Sequence, residues 1–197
     1  KNRTIDVVIF GVPFDNGTSF RPGARFGPSA VREASRLVRP YNTSLCVYPF
    51  QVQQVVDAGD IGCTPFNISS AIEQIQAGVS KLQARAEKFV AIGGDHTISL
   101  PLLRCIKDRF GPVALLHFDA HLDTWPAYFG ADVTHGTPFR NAFEEGLFLP
   151  DCSAHVGIRG PVYSAQDFVD DEGYGFCLVR CDEMEALGTA GVVQRIK

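Results

Sequence analysis

Apolar residues in this chain fall in short continuous runs, separated by stretches where they recur at three and four. That alternation predicts strands and helices in turn. Strands are expected over residues 6–10, 54–58, 89–92, 113–118, 154–158 and 176–181. Each run is apolar throughout rather than at every second position, as strands are when helices cover both faces of a parallel sheet. The clearest helix begins near Ser70, with Glu73 three residues on in the spacing of a capping box. Its apolar positions Ile72, Ile75, Val79, Leu82 and Ala86 make one stripe. Helices are also expected over 28–37, 99–109 and 138–145, and 188–197 reads as the start of another. No repeat, low-complexity tract or linker interrupts the series. The pattern predicts one α/β domain over residues 1–197, with a mainly parallel sheet between two helical layers. A sheet of this kind normally continues with a further strand, so the chain is expected to be incomplete at its C-terminus.

Composition narrows the function classes. With 197 residues, 45% of them hydrophobic, the chain can bury one sizeable core. A net charge of -4 argues against the basic face that nucleic acid requires, and weakly favours small cationic partners. No apolar run approaches the roughly 18 to 20 residues that span a bilayer. The opening KNRTIDVVIFGVPF lacks the apolar stretch and cleavage site of a signal peptide. Six cysteines (Cys46, Cys63, Cys105, Cys152, Cys177 and Cys181) form no CxxC pair and read as reduced thiols, several of them in the core. Asn2, Asn16, Asn42 and Asn67 head glycosylation sequons, which matter only in a secreted protein and arise often by chance. An intracellular site, cytoplasmic or mitochondrial, is expected.

The chemistry concentrates where strands end. Residues 113–124 read VALLHFDAHLDT, an apolar strand running into Asp119, His121 and Asp123. If the extended conformation persists, residues two apart point to one side. Two carboxylates and an imidazole then converge at the carboxyl edge of the sheet, where open α/β sheets place ligands. Carboxylates mixed with imidazole suit Mn, Fe, Ni or Zn better than Ca or Mg. One such triplet alone is as well explained by a solvated loop. Two other segments change the weighting. Residues 89–96, FVAIGGDH, bring His96 out of a second strand after a Gly–Gly turn, and residues 134–139, THGTPF, put His135 on a loop that can return over the site.

GGDHT, HFDAHLDT and THGTPF in this order, with the N-terminal GVPFDNGTSFRPGARFGP, resemble the ureohydrolases, the arginase–agmatinase family. The resemblance implies hydrolysis of a guanidino compound to urea and an amine at a pair of Mn2+ ions, in a homo-oligomer. It implies His96 and Asp123 as ligands of one ion, His121 of the other, and Asp119 as the bridge. All four are expected within one metal-site radius. His135 matches the family's proton-shuttling loop histidine, and Asp95 and Thr97 are expected to orient ligands. Agmatine or 4-guanidinobutanoate is favoured over arginine, because Trp125 and Ala131 stand where arginases grip the amino-acid carboxylate. The family's later Asp-x-Asp strand, a PGTGTP-like segment and a guanidinium-binding Glu are not among these residues. Only four of six expected ligands are present, so the chain alone is expected to be inactive and marginally folded, with an uncovered strand edge. The alternatives are another guanidino or formimino substrate, with nickel as a rival metal, and a non-catalytic short relative that binds a partner subunit.

Overall fold

The computed structural model describes residues 5–149 and 151–197; the sequon at Asn2 lies outside them. The chain divides into two compact units, Lys1–Leu102 and Leu103–Lys197.

In the first unit the β-branched run IDVVIFGV forms β1 (Ile5–Val12), which pairs in parallel with β2 (Val55–Asp60) on one side and β3 (Ala86–Gly93) on the other. The sheet order is β2-β1-β3, so the winding reverses at β1. Val8, Phe10 and Val12 share one face of β1 and are buried. The connections carry α1 (Gly27–Ser35), the single turn α2 (Pro49–Val52) and α3 (Ile68–Gln83). Pro28 at the first turn of α1 suits a position with no amide partner to lose. In α3 the buried residues are Ala71, Ile72, Ile75, Val79 and Gln83, so the predicted stripe holds at its centre. Two details differ. The N-cap is Asn67, whose side chain accepts the Ser70 amide, and Ala86 already belongs to β3. A helix, α4 (Ser99–Phe110), follows the loop after β3.

The second unit holds the parallel sheet β4-β5-β6, made of β4 (Leu116–Phe118), β5 (Ser153–Ile158) and β6 (Phe176–Arg180). It also contains α5 (Pro138–Glu144), α6 (Gln166–Gly173) and α7 (Cys181–Arg195). β5 is the middle strand, and both of its faces are packed. Val156 and Val179 meet Val192, Met184 and Leu187 of α7, while Ile158 and Leu178 meet Leu122 and Phe168. The register shifts between Val156 and Ile158, which is how two residues one apart in alternation reach opposite faces.

Each expected strand appears, but the faces differ from the expectation of two-sided burial. Val90, Leu116 and Phe118 are exposed, and β4 is three residues long. Val113 makes only an isolated bridge to Phe148. β4 is buried at His117 alone, whose register partner on β5 is His155. The expected helix at 188–197 is the second half of α7, which breaks at Gly188. Of the six free cysteines only Cys105 is buried, fewer than the sequence suggested. Asn16, Asn42 and Asn67 are exposed, and each is engaged in local hydrogen bonds. Among the described residues no helix is long and apolar enough to cross a membrane.

Candidate metal centre

In the first unit, β3 ends at Gly93 and the chain turns at Gly94 with φ 76°, a left-handed conformation that favours glycine. A β-carbon there would lie 2.5 Å from the Val12 carbonyl oxygen and 2.6 Å from that of Phe14. The turn therefore needs glycine for space as well as for φ. Asp95 then caps a short 3-10 turn over His96–Ile98, accepting the Thr97 amide at 2.8 Å. Its other oxygen accepts the Gly17 amide, also at 2.8 Å. His96 thus leaves the carboxyl edge beside β1, where the winding of this sheet reverses and open α/β sheets bind ligands.

The loop that Gly17 belongs to is held by Asp15, almost fully buried. Arg25 Nε donates to Asp15 Oδ1 at 2.6 Å, and the Gly23 and Arg25 amides donate to Oδ2. The guanidinium bond and these amides hold the Asp15 carboxyl down at about 2, against the opposing effect of burial.

In the second unit, β4 runs directly into Asp119. The donor atoms of His117, Asp119 and Asp123 lie within 4.8 Å of one another, a grouping able to hold a metal ion. Each oxygen of Asp119 faces a different imidazole. Oδ2 is 3.4 Å from His117 Nε2, and Oδ1 is 3.3 Å from His121 Nδ1. The His121 amide also donates to Oδ1 at 2.9 Å, which closes the turn after the strand. Asp123 is buried and holds φ 56°, a conformation that costs a non-glycine residue energy and is common where side chains converge on a site. The loop after β5 returns over this turn, with the Arg159 and Gly160 amides donating to the Ala120 carbonyl at 2.9 and 2.7 Å. A β-carbon on Gly160 would meet the His121 ring at 2.4 Å.

His135 lies on the loop before α5. Thr134 and Thr137 close this loop on each other, and two bonds tie it to the Asp123 segment: Trp125 N to Gly136 O and Phe139 N to Asp123 O. The His135 ring stands edge-on to Tyr128, which stacks on Trp125 with centroids 5.1 Å apart. Trp125 also meets Tyr163, with ring centroids 5.1 Å apart.

Of the residues expected from the sequence, Asp119 and Asp123 come together with His121 beside Asp119. His117, which sequence reasoning passed over, stands among them. Behind it lies a buried polar row. His117 Nδ1 is 2.6 Å from His155 Nδ1, His155 Nε2 is 3.5 Å from Asp171 Oδ1, and Thr124 Oγ1 donates to the same Asp171 oxygen at 2.7 Å. Burial pushes the Asp171 carboxyl up to about 7, with the Thr124 bond acting against it.

The chain matches the arginase family over residues 5–197. It is 41% identical over 197 residues to proclavaminate amidinohydrolase of Streptomyces clavuligerus, covering 99% of this chain and 62% of that protein. The solved structure of that enzyme superposes with a TM-score of 0.91, covering 98% of this chain and 64% of that one. Putative agmatinase 1 of Schizosaccharomyces pombe is 38% identical, over 100% of this chain and 57% of its own length. Guanidinobutyrase of Pseudomonas aeruginosa is 40% identical, over 91% of this chain and 56% of its own length. The chain therefore spans less than two thirds of these relatives.

Proposed function

The chain belongs to the arginase family, and on that footing we propose that the protein containing it hydrolyses a small guanidino compound to urea and an amine at a pair of Mn2+ ions. The observation that carries this reading is the grouping of His117, Asp119 and Asp123 at the carboxyl end of β4, with His121 against the second oxygen of Asp119.

The donor set fits divalent transition metals. Carboxylate oxygens mixed with imidazole nitrogens suit Mn2+, and a cation offsets the cost of burying Asp123. His96 and Asp123 would hold one ion and His121 the other, and Asp119 would serve both. Support for the sharing comes from the place of Asp119, grouped with Asp123 and with Oδ1 3.3 Å from His121 Nδ1. Support for His96 is its emergence at the carboxyl edge of β3 behind a capping aspartate. When bound, the metal pair supplies hydroxide at neutral pH by lowering the pKa of a water.

The residues of the chain supply the rest. Guanidinium carbon is a poor electrophile, because its charge is spread over three nitrogens and the group stays protonated. Attack therefore has to be directed, which the fixed carboxylates do by placing the ions. The amine leaves only if protonated, and His135 is the imidazole that delivers the proton. Its loop is fastened by backbone bonds to the Asp123 segment, which keeps donor and site in one frame. Residues 1–197 form a single ureohydrolase-type domain, supported by a family match that runs through both units. Six free thiols support an intracellular site, and the exposed Leu37, Val38, Phe50 and Val52 of the first unit support a homo-oligomer.

The substrate is agmatine or an ω-guanidino acid such as 4-guanidinobutanoate rather than arginine, since Trp125 packs its ring against Tyr128 and Tyr163. Urea release by the full-length protein, compared across agmatine, 4-guanidinobutanoate and arginine, tests this. At least tenfold higher kcat/KM for one of the first two is expected, about 1.4 kcal/mol of discrimination. A preference for arginine would overturn the assignment.

A further inference from the structure

We propose that His117, His155 and Asp171 form a buried support that orients Asp119, making them positioning residues for the metal centre. The inference rests on the metal reading above, adds His155 and Asp171 to it, and gives His117, a member of that grouping, the role of a partner to Asp119 rather than of a ligand.

The three side chains come from different elements, β4, β5 and α6, and meet inside the second unit. His155 and Asp171 are fully buried and His117 is 6% exposed. Their neighbours are the rings of Phe139 and Phe176, with His155 4.2 Å from the Phe176 centroid and His117 4.6 Å from that of Phe139. Polar groups placed so deeply cost stability unless they bond one another, and apolar residues of similar size would fill the space at lower cost. Their arrangement is directional. His117 and His155 are register partners on adjacent parallel strands, so their rings stand on the same face of the sheet. The row begins at Asp171, passes through both imidazoles and ends 3.4 Å from Asp119 Oδ2.

The outer end fixes the order of donors. His117 Nε2 stands 3.4 Å from Asp119 Oδ2, and in the proposed arrangement it offers the hydrogen, since a carboxylate can only accept. His117 then carries its proton on Nε2 and accepts at Nδ1. Across the 2.6 Å gap, His155 Nδ1 is the donor. One proton remains for the pair His155 Nε2 and Asp171 Oδ1, whichever of the two holds it. Thr124 Oγ1 bonds that same Asp171 oxygen and is the residue next to Asp123. The support therefore touches the metal segment at both ends, at Asp119 through an imidazole and beside Asp123 through a hydroxyl. Partners of this kind fix a ligand's direction, and removing them lowers metal affinity by about 10- to 100-fold.

The test separates orientation from bulk stability. Full-length protein is stripped of metal with a chelator, its melting temperature is measured, and Mn2+ affinity is then measured by competition with a fluorescent indicator. His155→Phe keeps an aromatic ring in the apolar pocket and deletes both nitrogens. It takes a partner from His117 and from Asp171, so the metal-free melting temperature is expected to fall while the protein stays folded, and Mn2+ binding is expected to weaken by about 10- to 100-fold. Asp171→Asn keeps the shape and is expected to lose about tenfold; it decides the matter if His155→Phe does not fold. Affinity within twofold of wild type in the folded variants would overturn the proposal and leave the metal centre standing. A wild-type protein that takes up no Mn2+ would instead overturn the metal reading, and this inference with it.

Discussion

Asp119 presents one oxygen toward His117 and the other toward His121, at 3.4 and 3.3 Å. In the proposed centre Asp119 would serve both ions and the His121 imidazole one. Asp119→Ala is therefore expected to abolish uptake of both Mn2+ ions and His121→Ala to weaken chiefly one, read as metal per chain by mass spectrometry. Equal loss in the two variants would remove Asp119 from the shared position. Asp15 gives a second expectation. Its carboxyl sits at about 2 in the folded chain, below the 3.8 of an unperturbed aspartate. A group depressed by folding stabilises above its unfolded pKa and loses that contribution as pH falls through the folded value. Stability should thus fall between pH 4 and 2, and Asp15→Asn should flatten that limb in denaturation measured across pH. At this scale Asp119 and Asp123 were legible, because polar residues ending an apolar run are conspicuous. His117 was not, since it lies inside the run and its role depends on a partner, His155, 38 residues away.

The elements were legible where one face is repetitive. The stripe Ile72, Ile75 and Val79 of α3 is buried as its spacing requires, but the start was misplaced by a few residues. Ser70 and Glu73 have capping-box spacing, and yet Asn67 is the side chain that accepts an end amide, at 2.8 Å from Ser70 N. Asn67→Ala should cost about 1 kcal/mol, and Ser70→Ala should stay within about 0.5 kcal/mol, both read from chemical denaturation. Reversed magnitudes would restore the capping box. The first half of α7 and all of α6 gave no usable signal. α7 leaves β6 directly with no side-chain cap, and its break at Gly188 imitates a helix start. Phe139, at 2% exposure, carries α5 onto His117 and His155. Phe139→Ala is expected to destabilise by about 3–5 kcal/mol and to loosen the buried histidines with it.

For the whole molecule, alternating runs correctly announced parallel strands and flanking helices, and three motifs announced the family. Exposure was less legible. Continuous apolar runs implied cover on both faces, whereas Leu116 and Phe118 stand open among the described residues, because a run's composition does not state what packs on each side. The proposed substrate choice is only partly legible in the pattern, since it rests on how Trp125 stacks with Tyr128 and Tyr163. The proposed centre that joins these scales is a metal pair held by Asp119 and used on a guanidino group. The most direct measurement takes full-length protein, removes metal by chelation, and follows urea release from agmatine and 4-guanidinobutanoate before and after Mn2+ is restored, with metal counted per chain. Activity lost on stripping and regained at two Mn2+ per chain is the expected result. Urea release that survives complete removal of metal, or a reloaded protein that binds Mn2+ at two per chain and hydrolyses no guanidino compound, would contradict it.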